Sequence, residues 1–245
     1  MEVQHIEDEQ QVNHAAAGQQ PDHGMARQEL IAEKSLRNVA RVISALFTPF
    51  TIPFVAFLIL FIFSYLRIMP LAYKLTVLGL VYVSTILLPT LGIYLFQRLN
   101  KLTPAEMAER KRRYVPFLLT IASYIACFLL MRRLHIPWYM TGIILAALLM
   151  MIISVVANCW WKLSEHTTGV GAVVGGLVAF SALFGYNPVW WLCAIILVAG
   201  IVGTARIILG HHTVGEVLGG FAVGWLCAML VLNPMTNLLF RIFFI

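Results

Sequence analysis

The sequence predicts an all-α fold, a polytopic bundle of about seven transmembrane helices, and three observations predict it. Hydrophobic residues make up 60% of the 245 and charged residues only 11%, against roughly 25% charged in soluble domains. The apolar residues fall in blocks of about 17–25, long enough to cross a hydrocarbon core at about 1.5 Å per helical residue. No stretch alternates apolar and polar residues in segments of about 10, the pattern of a membrane β-barrel strand.

Residues 1–40 precede the first block and are polar, Gln- and His-bearing, without an apolar run. A cleaved signal peptide needs a basic start followed at once by an apolar core. The segment is therefore expected to be a solvated, largely disordered tail with weak helix approaching the first span. His5, His14 and His23 recur every nine residues, a spacing that suits such a tail better than a metal site. Residues 41–245 form the membrane domain.

Spans are expected near residues 42–66, 73–97, 115–131, 137–159, 169–185, 188–208 and 214–235. Pro49 and Pro53 should kink the first. Gly169, Gly171, Gly175 and Gly176 permit close helix approach around the fifth. Cys127, Cys159, Cys193 and Cys227 lie inside apolar blocks without metal-like spacing, and are expected to be small buried hydrophobes.

Between the second and third spans lies the one substantial charged segment. Thr103-Pro104-Ala105-Glu106 reads as a helix start, with a threonine N-cap, proline at the first helical position and glutamate completing a capping box. Glu109-Arg110-Lys111-Arg112-Arg113 continues it. Arg110 and Arg113 share a helix face, where they point at an anion or simply belong to a surface helix. Both readings stay open, because Glu106–Arg110 and Glu109–Arg113 are favourable pairs four apart. The net charge of +6 suits anionic headgroups or phosphates, and no RNA or DNA motif accompanies it; a nucleic-acid partner is not expected.

Two further stretches set ionisable side chains beside apolar runs: Ser164-Glu165-His166, and Arg206 through His212 to Glu216. A charge at a helix centre costs about 2.5–3.5 kcal/mol on insertion scales, so a chain that keeps such groups there is expected to use them on a polar substrate. His212 and Glu216 are four apart, and on a helix the carboxylate reaches the imidazole. That contact fixes the tautomer and leaves the second ring nitrogen free to attack. Arg206 offers a bidentate fork to phosphate oxygens. His166, read as the end of the fourth span, supplies a second imidazole, and a nucleophile with a general acid are the two parts that break a phosphoester. Ser164 and the amides opening the next span suit phosphate oxygens, and Lys162 adds positive charge. The bland alternative for an isolated membrane histidine is a ring packed between helices. Topology argues against it: two predicted spans separate the arginine segment from His166, and two more separate His166 from His212. All three return to one face of the membrane.

These residues resemble the type 2 phosphatidic acid phosphatase and vanadium haloperoxidase superfamily, whose three boxes are written Lys-x6-Arg-Pro, Pro-Ser-Gly-His and Ser-Arg-x5-His-x3-Asp. The third appears here as Ala205-Arg206-x5-His212-x3-Glu216, the second as Leu163-Ser164-Glu165-His166. The first survives loosely as Arg110-x2-Arg113-x2-Pro116. The order of boxes covers about residues 100–220, and the chain looks closest to bacterial membrane members with a degenerate first box. Glutamate replaces aspartate at 216 and glycine at 165, and an apolar hairpin separates the first two boxes, which many relatives carry in one loop.

The resemblance implies that His212 is the nucleophile, oriented by Glu216, with His211 a second choice. It implies that His166 protonates the leaving group, and that Arg206, Arg110 and Arg113 bind phosphate, with Ser164 and Lys162 beside them. It implies no metal and no cofactor. The function expected is a membrane lipid phosphatase working through a phosphohistidine on a phosphomonoester or pyrophosphate headgroup, with lipid phosphate as substrate and membrane lipids as partners. The alternative is a catalytically inactive relative that binds or has a structural role; a proton-relaying transporter would need charges spread through the bilayer depth. A bacterial inner membrane is the expected location. The positive-inside rule does not orient the chain, because the bias nearly vanishes without the candidate site residues. Neither the particular lipid nor the oligomeric state is encoded in a readable pattern.

Overall fold

Inside a bilayer the backbone must satisfy its own hydrogen bonds, which for runs of this length means helices. A computed structural model describes residues 23–101 and 114–234, and every regular element among the described residues is helical. Six helices are long and apolar enough to cross a membrane, and a seventh crossing results if two consecutive helices meeting at a bend form one broken span.

The chain divides into two compact units, Met1–Val39 and Ala40–Ile245. In the first, the described residues belong to helix α1 (His23–Leu46), where Glu33 and Arg37 pair four apart at 2.8 Å. Helix thus runs further into the polar segment than its composition suggests. Residues 1–22, with His5 and His14, lie outside the described residues.

The second unit begins with the last two turns of α1. The span expected over 42–66 is interrupted at residues 47–50, and α2 runs from Thr51 to Phe63. Pro49, which has no N–H to continue the ladder, stands in the break, and Thr51 Oγ1 donates to Thr48 O at 2.9 Å across it. Thirteen residues reach only about 20 Å. Pro49 therefore breaks the helix where a kink was expected.

Helix α3 (Leu71–Leu99) contains a five-residue π turn at Val83–Leu87. Pro89 explains it: its ring excludes the hydrogen bond to the carbonyl four residues back, and the helix widens ahead of it. Then follow α4 (Tyr114–Arg133), α5 (Trp138–Ala157), α6 (Glu165–Phe184), α7 (Val189–Ile208) and α8 (Val214–Leu232). Phe57, Leu66, Val81, Tyr124, Met140 and Ile144 are among the buried residues between α2, α3, α4 and α5. Leu75, Leu95, Trp190 and Leu197 remain exposed, as expected of side chains that face lipid. Cys127 and Cys227 are buried as expected, but Cys159 and Cys193 are exposed.

Apolar side chains gain little by leaving lipid for one another, so membrane helices associate through small residues that let backbones meet. The α6–α8 crossing follows this rule. A methyl at Gly175 would lie 2.6 Å from Trp225 O, and methyls at Gly171 and Gly224 would strike the backbone carbonyls of Phe221 and Thr168. This crossing fixes the helix starts that carry the ionisable residues.

Candidate functional site

Helix α6 starts at Glu165, four residues before the expected fifth span, so the helix takes in the polar run Glu165–Thr168 that precedes the apolar block. His166 therefore sits in the first turn of α6 rather than at the end of the preceding span. Ser164 is the N-cap residue, but its side chain makes no cap bond. Its hydroxyl is fully buried and has no hydrogen-bond partner. Its backbone is well used: Ser164 N donates to Glu216 O at 3.2 Å, and Ser164 O accepts from Thr167 Oγ1 at 3.0 Å and Thr168 Oγ1 at 2.9 Å. A methyl at Gly220 would lie 2.7 Å from Ser164 O, so only glycine lets the loop this close to α8.

The third box is built by a helix stop and a helix start. Helix α7 ends at Ile208, and Gly210 takes the left-handed conformation at φ 69°. His211 N then donates to Arg206 O at 3.2 Å, the bond from two residues beyond the cap that closes a Schellman turn. Arg206 is thereby held beside the histidines despite lying on another helix. Thr213 caps α8: its hydroxyl accepts from Glu216 N at 3.4 Å while Glu216 Oε2 accepts from Thr213 N at 3.1 Å, a reciprocal capping box. The same Oε2 lies 3.1 Å from His212 Nδ1.

His212 is buried and Glu216 half-buried. Burial first, and then the neighbouring Arg206 guanidinium, push the His212 imidazole down to about 4, against the opposing hydrogen bond and charge of Glu216. At neutral pH the ring is uncharged. Nδ1–H donates to the carboxylate and the lone pair resides on Nε2. His211 is lowered for the same first two reasons, burial and Arg206, with Lys162 adding to them. Lys162 Nζ donates to His211 O at 3.4 Å.

His166 is half-buried, with the Arg206 guanidinium and the His212 and His211 rings close enough to act on it electrostatically. Its Nε2 lies 3.2 Å from Ser44 O, and Arg206 Nη1 donates to Ser44 Oγ at 2.7 Å. The structure thus brings together His166, Ser164, Lys162, Arg206, His212 and Glu216. Arg110 and Arg113, with the rest of the first box before Tyr114, lie outside the described residues. Glu165, in the glycine position of the second box, lines a small apolar cleft of about 50 Å³ with Pro49, Ile52, Met150, Met151 and Gly169. Among the described residues no group of three or more His, Cys, Asp or Glu side chains is arranged to hold a metal ion.

Sequence reasoning missed Ser44 and Thr213. Thr213-x-x-Glu216 is the same capping-box pattern recognised at Thr103–Glu106, and reading it would have explained the glutamate. Ser44 carried only a faint signal, a lone hydroxyl in the first turn of an apolar block.

The model of the PAP2 superfamily matches residues 159–239, which is 81 of the 245 residues and contains both histidine boxes. The match supports membership of that superfamily. No curated protein and no solved structure matches the chain.

Proposed function

From the match of residues 159–239 to the PAP2 superfamily, a family whose members point to phosphatase activity on phosphate esters, we propose that this integral membrane protein is a lipid phosphatase. It hydrolyses a phosphomonoester or pyrophosphate headgroup through a phosphohistidine. The observation that carries the reading is the His212–Glu216 contact of 3.1 Å, made by a ring whose other nitrogen keeps its lone pair. A second imidazole and a guanidinium stand close enough to act on it electrostatically.

In the proposed reaction His212 Nε2 attacks phosphorus as the bond to the lipid oxygen breaks. The leaving lipid alkoxide, or lipid phosphate from a pyrophosphate, takes a proton from the imidazolium form of His166. Water then yields a proton to His166 and attacks the phosphohistidine; the N–P bond breaks, inorganic phosphate leaves and both rings are restored. Arg206, the Ser164 hydroxyl and Lys162 balance the phosphoryl charge, joined by Arg110 and Arg113. The small apolar cleft at Glu165, Thr168 and Gly169 puts apolar surface beside the first turn of α6, which suits a substrate with an apolar tail.

The test is phosphate release by the detergent-solubilised protein from a panel of lipid phosphates and pyrophosphates. His212→Ala and His166→Ala should each abolish release while the unfolding temperature holds. Unchanged turnover in the His212 variant would remove the assigned nucleophile. Orthovanadate binding without hydrolysis of any lipid phosphate would favour a binding protein that has kept the site and lost turnover.

A further inference from the structure

We infer that Ser44, in the last turn of α1, is a positioning residue of the phosphate site: its hydroxyl sets the Arg206 guanidinium and its carbonyl sets the His166 ring. The inference rests on the phosphatase reading for the roles of those two groups, and adds to it a residue outside all three boxes and outside the matched segment.

The last two turns of α1 bury only Ala40 and Ser44, four apart, while Val42 and Leu46 are 60% and 68% exposed. Their inward stripe is therefore two small residues, and one carries a hydroxyl. A helix end leaves its last four carbonyls to outside partners. Phe47 N takes Ile43 O at 3.1 Å, and His166 Nε2 takes the next, Ser44 O, at 3.2 Å. A carbonyl can only accept, so Nε2 carries the hydrogen. The neutral ring then has its lone pair on Nδ1, and Nδ1 is the atom that receives and gives up the proton during turnover. His212 is arranged the opposite way, with Nδ1 committed to Glu216 and Nε2 left for phosphorus.

The Ser44 hydroxyl accepts from Arg206 Nη1 at 2.7 Å. That contact engages one of the five guanidinium N–H donors and so fixes the plane and direction of the fork. Arg206 lies in the last turn of α7 and His166 in the first turn of α6, so a third element ties the phosphate donor to the proton carrier. A plug would be a different device: a Ser44 that merely occupied the anion's place would have to leave before substrate entered, and removing its hydroxyl would tighten anion binding.

The experiment uses the full chain in detergent, with orthovanadate and inorganic phosphate as probes, titrated calorimetrically, and with lipid phosphate turnover as a separate readout. Losing one hydrogen bond to a charged group is expected to make Ser44→Ala bind orthovanadate about tenfold more weakly and to lower kcat/KM about tenfold. Ser44→Thr keeps the hydroxyl and should stay within about threefold of wild type in both. In an Arg206→Lys background Ser44→Ala should add little, since a residue acting through Arg206 has lost its target. Wild-type binding by Ser44→Ala, tighter binding, or full additivity with Arg206→Lys would each overturn the inference. Orthovanadate binding that depends on Ser44 in a protein that hydrolyses nothing would end the enzyme reading and uphold the positioning. A wild-type protein that binds neither probe would overturn both.

Discussion

His212 Nδ1 and Glu216 Oε2 lie 3.1 Å apart, and that same carboxylate oxygen accepts the backbone N–H of Thr213, also at 3.1 Å. One oxygen therefore closes the cap of α8 and orients the imidazole that precedes it. The capping box requires the reach of a glutamate at the third helical position, which gives a local reason for glutamate where the superfamily pattern has aspartate. Glu216→Gln keeps the length and removes the charge. It should lower kcat/KM by about 10²–10⁴-fold, as loss of an orienting carboxylate does in other imidazole-based sites, while the cap and the unfolding temperature largely survive. Wild-type turnover in the Gln variant would end the orienting role.

His212 also sets a pH expectation. Burial and the Arg206 guanidinium hold it at about 4, below its ordinary 6.5. The attacking form is neutral, so the ring is competent at neutral and mildly acidic pH and loses competence as pH falls through about 4. The folded value lies below the unfolded one, so its contribution to stability is present above about 6.5 and is lost as pH falls through about 4. Arg206→Gln removes the larger of the two charges that, with burial, press the value down, and should move the ring upward. Nuclear magnetic resonance titration of the His212 ring in detergent measures both. A wild-type midpoint near 6.5, or no upward movement in the variant, would contradict this electrostatic account.

Which parts of this arrangement the sequence could reveal follows from how local each relation is. His212 and Glu216 meet because four residues make one helical turn, and Gly210 marks the stop before them; both facts can be read within a ten-residue window. The expected spans 137–159 and 188–208 agree closely with Trp138–Ala157 and Val189–Ile208, since apolar run length and polar flanks set their ends. The expected start of α6 lies four residues late because Glu165–Thr168 is polar, and the glycines that follow show close helix approach without showing to what. Their meaning depends on Phe221 and Trp225, some 50 residues away, whose backbone they admit. Ser44 lies 122 and 162 residues from its two partners. A single serine in an apolar block has no periodicity to announce such contacts.

Ser164 separates the structural and functional uses of one side chain. A serine at an N-cap ordinarily stabilises its helix, and its loss costs about 0.5–2 kcal/mol. Here the hydroxyl makes no cap bond, although it is fully buried beside the third box. Ser164→Ala should therefore change the unfolding free energy by no more than about 0.5 kcal/mol. It should weaken orthovanadate binding severalfold if the hydroxyl meets phosphate. Thermal unfolding and calorimetry on one preparation give both numbers. A large loss of stability with unchanged anion binding would make Ser164 a structural residue only.

The α6–α8 crossing makes a prediction about how folding and function are coupled. A methyl at Gly224 would run into the Thr168 carbonyl, and backbone cannot yield as a flexible side chain can. The helices must separate or shift, at a cost of about 1–3 kcal/mol for overpacking. Thr168 and Ser164 lie in adjacent turns of the same strand of contacts: Thr168 Oγ1 donates to Ser164 O, and Ser164 N donates to Glu216 O. Any shift at Gly224 is therefore passed to the carboxylate that orients His212. Gly224→Ala should lower the unfolding temperature and also reduce kcat more than its folded fraction explains. Gly200→Ala is the control, because a methyl there meets nothing within 4 Å, and both properties should stay near wild type. If Gly224→Ala lost stability but the surviving folded protein turned over normally, the crossing would support the fold without setting the site.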